Sequence, residues 1–292
     1  MFIATLIASG RLNRGDISDA QARIAATGAT PGVLRSIEPD IACDLGFSGD
    51  PAAVRIALEG AFPGVDVIVQ QEADRRRKML VADMDSTMIT IECIDELADY
   101  AGIKAEVAVV TERAMRGELD FEGALDARVA LLKDLDAAMI DRCRAERVKI
   151  MPGAKELVRT MRASGADCYL VSGGFTVFAD AVAADIGFTR ALSNTLDIAD
   201  GRLLGTVSRP IIGAQAKRET LLAEAALHGI DPGECLAVGD GANDIPMIEA
   251  AGLGVAYHAK PKTAAAAAAR IDHGDLTTLL YAQGYARKDW IA

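Results

Sequence analysis

Residues 80–87 are Leu80-Val81-Ala82-Asp83-Met84-Asp85-Ser86-Thr87, in which two carboxylates stand two positions apart directly after a short apolar segment. The apolar segment predicts a buried strand. Asp83 and Asp85 would then lie at the carboxyl end of that strand, where open α/β sheets bind their ligands. Two acids crowded there repel each other unless a cation or a shared proton compensates them. The stretch therefore suggests a metal-assisted reaction.

An isolated Asp-x-Asp pattern also has a simpler interpretation, because Asp and Ser are common at helix N-caps and in turns. Three further segments argue against it. Residues 168–174 predict a second strand that ends in Ser172 and two glycines, and residues 235–240 predict a third strand that ends in Asp240. Between these strands, Lys217 lies in a stretch from 214 to 226 that favours a helix.

These segments resemble, in their order and their wide spacing, the four motifs of the haloacid dehalogenase-like phosphotransferase superfamily. The matching residues are Asp83-Met84-Asp85-Ser86-Thr87, Ser172-Gly173-Gly174, Lys217 and Gly239-Asp240-Gly241-Ala242-Asn243-Asp244. Residues 91–96, and residues 114–121 followed by Arg128-Val129, are similar to the members of that superfamily that hydrolyse O-phospho-L-serine. The resemblance covers about residues 79–285.

The resemblance implies hydrolysis of O-phospho-L-serine to L-serine and phosphate through an aspartyl-phosphate intermediate, with Mg²⁺ as cofactor, as the final step of serine biosynthesis. Asp83 would be the nucleophile and Asp85 the general acid and base. Lys217 would supply a fixed positive charge to the phosphoryl oxygens. The implied Mg²⁺ ligands are the carboxylates of Asp83 and Asp240 and the backbone carbonyl of Asp85, with Asp244 as an auxiliary ligand.

The resemblance also implies how the substrate is held. Glu92 would bind the substrate ammonium and Arg128 its carboxylate, which suits the fork of donors on a guanidinium. The implied substrate-binding residues are Glu92, Met115, Phe121, Arg128, Ser172, Gly173 and Asn243.

Two other functions remain open at this point. A phosphotransferase would pass the group from Asp83 to an alcohol such as homoserine instead of water. A non-enzymatic, amino-acid-sensing phospho-receiver would only accept phosphate on Asp83, and Asp85 argues against it, because a receiver gains nothing from a resident acid and base.

Composition and charge restrict the classes of molecule that the protein is expected to bind. The chain has 292 residues, of which 51% are hydrophobic, and a net charge of −11. That charge disfavours nucleic acid or an anionic membrane as partner, since both attract clustered Lys and Arg. We expect a small-molecule substrate, a cytoplasmic location and a possible homodimer. The five cysteines show no Cys-x-x-Cys spacing and predict reduced thiols in the core.

The pattern of elements predicts an α/β protein with two domains. Residues 1–73 have the order β-α-β-β-α-β of a ferredoxin-like (ACT-like) α+β domain, whose role as a dimerising, sensing or structural module stays open. Residues 74–292 predict a doubly wound, Rossmann-like phosphatase core with a helical cap inserted at about 93–147. Residues 72–78 suggest a solvated linker, Asp200-Gly201 a hairpin turn, and residues 264–269 a surface helix.

Overall fold

The structure is a computed structural model that describes residues 1–73, 75–116 and 118–292, apart from the side chain of Met115. Its strands are β1 (Phe2–Ala8), β2 (Thr30–Glu38), β3 (Ala42–Ser48), β4 (Val65–Gln71), β5 (Met79–Ala82), β6 (Asp167–Phe175), β7 (Arg190–Asn194), β8 (Leu196–Ala199), β9 (Arg202–Val207), β10 (Cys235–Gly239), β11 (Leu253–Tyr257) and β12 (Ala269–Ile271). Its α-helices are α1 (Arg14–Ala26), α2 (Pro51–Leu58), α3 (Cys93–Ala101), α4 (Lys104–Met115), α5 (Phe121–Leu131), α6 (Ala138–Arg147), α7 (Ala154–Ala163), α8 (Thr176–Ile186), α9 (Ala214–His228), α10 (Ile245–Ala250), α11 (Pro261–Ala266) and α12 (Thr278–Ala282). Short 3₁₀-helices lie at Pro232–Glu234, Ala242–Asp244 and Arg287–Asp289.

The N-terminal module is an antiparallel sheet of β1–β4 in the order β2-β3-β1-β4, with two helices. Alternating strand residues point to opposite faces. Leu6 and Leu45 pack with Ile24 of α1 and Leu58 of α2, whereas Ile68 belongs to the core of the larger sheet. The predicted ferredoxin-like arrangement is therefore confirmed, and one face of its sheet rests against the rest of the protein.

The larger sheet is parallel, in the order β12-β11-β10-β5-β6-β7. Its strands are continuous apolar runs because helices cover both faces. Leu80 and Ala82 of β5 pack into one cluster, and Met79 and Val81 pack into another on the opposite face. The predicted doubly wound α/β core is confirmed.

The order of these strands creates a crevice beside β5. From β5 the chain proceeds outward through β6 and β7, and it then crosses to the other side to form β10, β11 and β12. Ligands of open α/β sheets bind at such a reversal, outside the carboxyl ends of the strands. The residues that follow β5 and β10 therefore face one shared crevice.

The helices α3–α6 form the predicted cap between β5 and β6. The two connections to the core run antiparallel and are paired, since Thr90 N–H donates to Lys149 O at 3.0 Å and Met151 N–H donates to Met88 O at 2.9 Å. The hairpin of β8 and β9 has its turn at Asp200-Gly201, as predicted. It docks onto the cap, where Leu203 N–H donates to Leu135 O at 3.0 Å, a contact that the sequence did not predict.

The predicted solvated linker at 72–78 is wrong at Arg75 and Arg77, whereas Arg76 and Lys78 are exposed as expected. Arg75 forms an ion pair with the buried Asp44, with Nη1 2.5 Å from Oδ2, and its Nε donates to Ala282 O at 3.1 Å. Arg77 is also buried, and its Nη2 donates to Oε1 of Gln70 at 2.7 Å. Arg75 and Arg77 thus point from the run toward the N-terminal sheet and the core, where Asp44, Gln70 and backbone carbonyls accept their hydrogen bonds.

Replacing Arg75 with Met tests this ion pair. The Arg75 side chain is 16% exposed and that of Asp44 is 4% exposed, so the substitution leaves a buried carboxylate without its cation. We expect the free energy of unfolding, measured in urea, to fall by about 3 kcal/mol. As a control, Arg11→Met breaks the exposed Arg11–Asp40 ion pair and should change the stability little. Equal effects of the two substitutions would contradict the assignment.

The predicted helix over residues 264–269 is half wrong. Helix α11 ends at Ala266, and Ala269 begins β12, where it pairs with Val255 of β11. The high helix propensity of Ala is overridden because the parallel ladder satisfies these backbone groups in the sheet.

The boundary between the two domains at 73/74 stays a prediction. Among the described helices, none has the length and apolar character that crossing a bilayer requires.

Candidate active site

Asp83 is fixed at the centre of the crevice. Its N–H donates to Val238 O at 3.0 Å and so continues the pairing of β5 with β10 by one residue. Its Oδ1 accepts a hydrogen bond from Met84 N–H at 2.8 Å. The carboxylate is thus buried and held in one orientation at the carboxyl end of β5.

Lys217 lies between two carboxylates. Its Nζ is 2.6 Å from Oδ1 of Asp83 and 2.6 Å from Oδ1 of Asp244, and the side chain is fully buried. Burial disfavours the ammonium, but attraction to Asp244 and Asp83 outweighs it and raises the pKa of Lys217. A buried lysine paired in this way is a fixed positive charge beneath the crevice.

Three carboxylates come together at the base of the crevice. One oxygen each from Asp83, Asp240 and Asp244 lie within 4.8 Å of one another. Burial, and next the charge of Asp244, raise the pKa of Asp83, which Lys217 opposes. Burial, followed by the charges of Asp244 and Glu92, raises the pKa of Asp240 to about 6. Such mutual repulsion is what a bound cation relieves, and an all-oxygen set suits a hard divalent ion such as Mg²⁺.

Asp85 lies on the cap side of the same crevice. Its Oδ1 is buried and accepts no hydrogen bond from the part of the chain that the structure describes. Burial, followed by the charge of Glu92, raises the pKa of Asp85 to about 7. A carboxyl group with that pKa is present in both protonation states near neutrality, which an acid and base catalyst needs.

The last residues of β6, Ser172–Gly174, form a stretch that depends on the absence of side chains at its glycines. Ser172 Oγ accepts a hydrogen bond from Gly174 N–H at 2.9 Å. A Cβ on Gly173 would lie 2.9 Å from Cζ of Phe121, and one on Gly213 would lie 3.0 Å from Cδ1 of the same ring. The two glycines therefore allow Phe121 of the cap to pack directly on the core backbone.

Glu92 and Arg128 extend from the cap toward the crevice. Ser86 Oγ donates to Oε1 of Glu92 at 2.7 Å, and Nε of Arg128 donates to Ala124 O at 3.2 Å. Burial lowers the pKa of Arg128, against the opposing attraction of Asp95, Glu92 and Asp85. The two side chains bring opposite charges to the same wall of the crevice.

The crevice is a cavity of about 580 Å³ between core and cap. The predicted site residues that line it are Asp83, Asp85, Glu92, Phe121, Arg128, Ser172, Gly173, Asp240 and Asn243. Beneath this lining, Lys217 pairs with both Asp83 and Asp244. The prediction for Met115 falls on a side chain outside the described residues.

Sequence reasoning missed Asn194 and Lys260. Asn194, at the end of β7, is buried; its Nδ2 donates to Gly173 O at 2.9 Å, and its Oδ1 accepts from Ile212 N–H at 2.7 Å. It therefore connects the end of β6 at Gly173 to the segment that leads into α9 and Lys217. Lys260 lines the cavity on the core side. The signal that could have found Asn194 is its position as the polar last residue of β7.

Comparison with known proteins identifies the family. The family model for haloacid dehalogenase-like hydrolases matches residues 80–249, the segment that carries the acids and Lys217. The chain belongs to the haloacid dehalogenase-like hydrolases. The predicted family is therefore confirmed.

Similar members of this hydrolase family are named for one reaction. The chain is 45% identical to a phosphoserine phosphatase of Streptomyces coelicolor over 84% of its own length, and it spans 60% of that relative. It is 47% identical to a phosphoserine phosphatase of Polaromonas sp., over 70% of its own length and 88% of the relative. A probable phosphoserine phosphatase from Vibrio cholerae, solved without ligand, superposes with a TM-score of 0.78 at 35% identity, over 99% of this chain and 87% of that one.

Proposed function

We propose that this hydrolase converts O-phospho-L-serine and water to L-serine and phosphate, in the final step of serine biosynthesis. The observation that carries the proposal is the position of Asp83. It is bound to a buried lysine on one side and opens on the other into a cavity that also contains Asp85, Glu92 and Arg128. The names of the similar phosphatases support the same reaction.

The reaction proceeds in two displacements on phosphorus. Asp83 Oδ1 is engaged by Lys217 and by Met84 N–H, so Oδ2 is the attacking atom. As the bond from Oδ2 to phosphorus forms, the bond from phosphorus to the seryl oxygen breaks, and Asp85 gives its proton to that oxygen. Asp85 then takes a proton from water as the water oxygen attacks phosphorus, which releases phosphate and restores Asp83.

The excess of acids in the cavity favours the binding of a cation. Six of the described lining residues are acids (Asp83, Asp85, Glu92, Asp95, Asp120 and Asp240), whereas the lining cations are Arg128 and Lys260. Asp83 and Asp240 would hold Mg²⁺ with the backbone carbonyl of Asp85, and Asp244 would be an auxiliary ligand. When bound, Mg²⁺ polarises the phosphoryl group and offsets its repulsion from the acids.

The cap selects the serine part of the substrate. Glu92 would pair with the ammonium and Arg128 with the carboxylate, while Phe121 closes an apolar wall. Ser172 Oγ and Gly173 N–H would donate hydrogen bonds to the phosphoryl oxygens, and Asn243 would contact the substrate from the opposite side of the crevice. The homodimer and the cytoplasmic location stay predictions.

The direct test is phosphate release from O-phospho-L-serine with and without Mg²⁺, with phosphothreonine and p-nitrophenyl phosphate run alongside. Fast release that needs the metal and prefers phosphoserine is the expected result. Equal release from all three compounds would contradict the substrate assignment. Release that accelerates on addition of homoserine, with homoserine phosphate as product, would instead identify a phosphotransferase.

Arg128→Ala tests the carboxylate contact. We expect the KM for phosphoserine to rise about 10- to 100-fold, because a charge-assisted hydrogen bond of 1.5–3 kcal/mol is lost. The rate with p-nitrophenyl phosphate, which has no carboxylate, should stay within about twofold. Arg142→Ala, on the exposed side of the cap, is the matched control. Equal losses with both substrates would mean that Arg128 stabilises the cap and does not recognise the substrate.

A further inference from the structure

The carboxylate of Asp66 joins the N-terminal module to a loop of the catalytic core. Asp66 lies on β4 and is only 4% exposed. Its Oδ1 accepts N–H bonds from Asp272 at 2.8 Å and from His273 at 3.1 Å, and its Oδ2 accepts one from Gly274 at 2.7 Å. A carboxylate that accepts three backbone N–H groups fixes the loop that donates them.

The loop packs closely against its neighbours at Gly274. A Cβ on Gly274 would lie 2.2 Å from Oγ1 of Thr278 and 3.1 Å from Oδ2 of Asp66. Only glycine allows this approach of backbone to carboxylate. The 272–274 loop is therefore held between α12 and the N-terminal sheet.

The same loop holds the segment that leads into the catalytic cavity. His258 follows β11 with a positive φ of 43°, and its N–H donates to Ile271 O at 2.9 Å. Its Nε2 lies 2.9 Å from Gly274 O, and since a carbonyl only accepts, Nε2 carries the proton. Two residues later, Lys260 N–H donates to Asp240 O at 3.3 Å, and Lys260 lines the cavity.

We propose that the N-terminal module positions the catalytic site: Asp66 fixes the 272–274 loop, the loop fixes His258, and Lys260 is thereby held at the cavity, where its ammonium attracts the anionic substrate. Asp66 is a positioning residue that acts through Lys260. This role goes beyond the proposed function but rests on it for the choice of substrate. Among the described lining residues, Lys260 is the cation on the core side, opposite Arg128 of the cap.

The test is a double-mutant cycle on the full chain with Asp66→Ala, Lys260→Ala and both together. At low ionic strength, we expect each single substitution to lower kcat/KM for phosphoserine roughly tenfold, with kcat little changed, since a small misplacement is costly. The loss should shrink as salt screens the attraction. The double variant should be no worse than Lys260→Ala, because Asp66 acts through it. Losses that multiply in the double variant would overturn the proposal.

The matched control is Gln70→Met, on the same strand and facing the same way. Gln70 is also buried, but its Nε2 donates to Ala282 O at 2.8 Å and it does not bond to the 272–274 loop. The Gln70→Met substitution should lower the melting temperature and leave the salt dependence of kcat/KM unchanged. If Gln70→Met lowers kcat/KM as much as Asp66→Ala, docking of the module alone is responsible and the proposal is wrong.

One further variant and one further measurement keep the test decisive. If Asp66→Ala does not fold, Asp66→Asn is used instead. It removes one acceptor oxygen and should lower kcat/KM with the same salt dependence, but by a smaller factor. If the wild type hydrolyses neither phosphoserine nor p-nitrophenyl phosphate, the proposed function has failed. In that case, the affinity of each variant for inorganic phosphate is measured by calorimetry at two salt concentrations and compared in the same way. Equal affinities in all variants would overturn the proposal.

Discussion

Asp83→Asn is expected to abolish turnover of O-phospho-L-serine, with a loss in kcat of about 10⁴-fold or more, as single losses of a catalytic nucleophile generally give. An amide does not attack phosphorus, so the first displacement does not occur. Lys217 keeps Asp244 as a partner, with Nζ 2.6 Å from Oδ1, and the protein should remain folded. Phosphate release and circular dichroism of the same sample measure both effects.

The control for this substitution is Asp200→Asn at the tip of the hairpin. Asp200 has a positive φ of 48°, a conformation that Asn also tolerates, and it lies away from the cavity. The activity of Asp200→Asn should match that of the wild type.

In acid-quenched wild type, mass spectrometry should find a phosphoryl group on Asp83. Activity of Asp83→Asn above about 1% of the wild type would mean that another group is the nucleophile.

Lys217→Met is expected to lower both activity and stability. The substitution keeps the length of the side chain but leaves Asp83 and Asp244 facing each other in a buried site without their cation. We expect kcat to fall by about 10²- to 10³-fold through loss of electrostatic stabilisation. The free energy of unfolding should fall by about 3–5 kcal/mol, because breaking a buried ion pair leaves uncompensated charge.

Lys155→Met is the matched control for Lys217→Met. Lys155 pairs with Asp185 at the same distance of 2.6 Å, but on the surface. Urea unfolding and phosphate release should both stay close to the wild type there. If Lys217→Met lost stability but kept its kcat, the lysine would be a structural counter-ion and would have no role in the reaction.

The two substitutions act on one arrangement, in which the fold brings like charges together. Asp83, Asp240 and Asp244 converge because β5 and β10 are neighbours, although 157 positions separate the first and second of these acids in the sequence. Lys217 offsets part of the resulting repulsion, and the proposed Mg²⁺ would offset more of it. In the proposed function, this balance would allow the site to bind an anionic phosphate despite its excess of acids.

Much of the core was predictable from the sequence because the signals are local. The apolar run 80–82 and the acids after it fix a buried strand with chemistry at its end, and similar signals mark Ser172 and Asp240. The helix around Lys217 follows from its propensity, and the turn at Asp200-Gly201 follows from residues that tolerate positive φ. These features depend on a few consecutive residues.

The features that were missed depend on distant partners. Arg75 suggested a solvated linker because nothing near it in the sequence points to Asp44, and Ala269 belongs to a strand only because β11 lies beside it. Asn194 connects Gly173 to Ile212, and its role is visible only when the three segments meet. Asp66 similarly has no local signal for its three bonds to residues 272–274.

The sequence by itself predicted the fold class and, through the resemblance of its motifs, the family and the candidate site residues, because periodicity, turn residues and each single motif are properties of short stretches. The tertiary structure alone decided the charge balance around Asp83, the burial of Arg75 and the connection from Asp66 to Lys260. The physical reason is that desolvation, ion pairing and hydrogen bonding between distant residues exist only after the chain has folded.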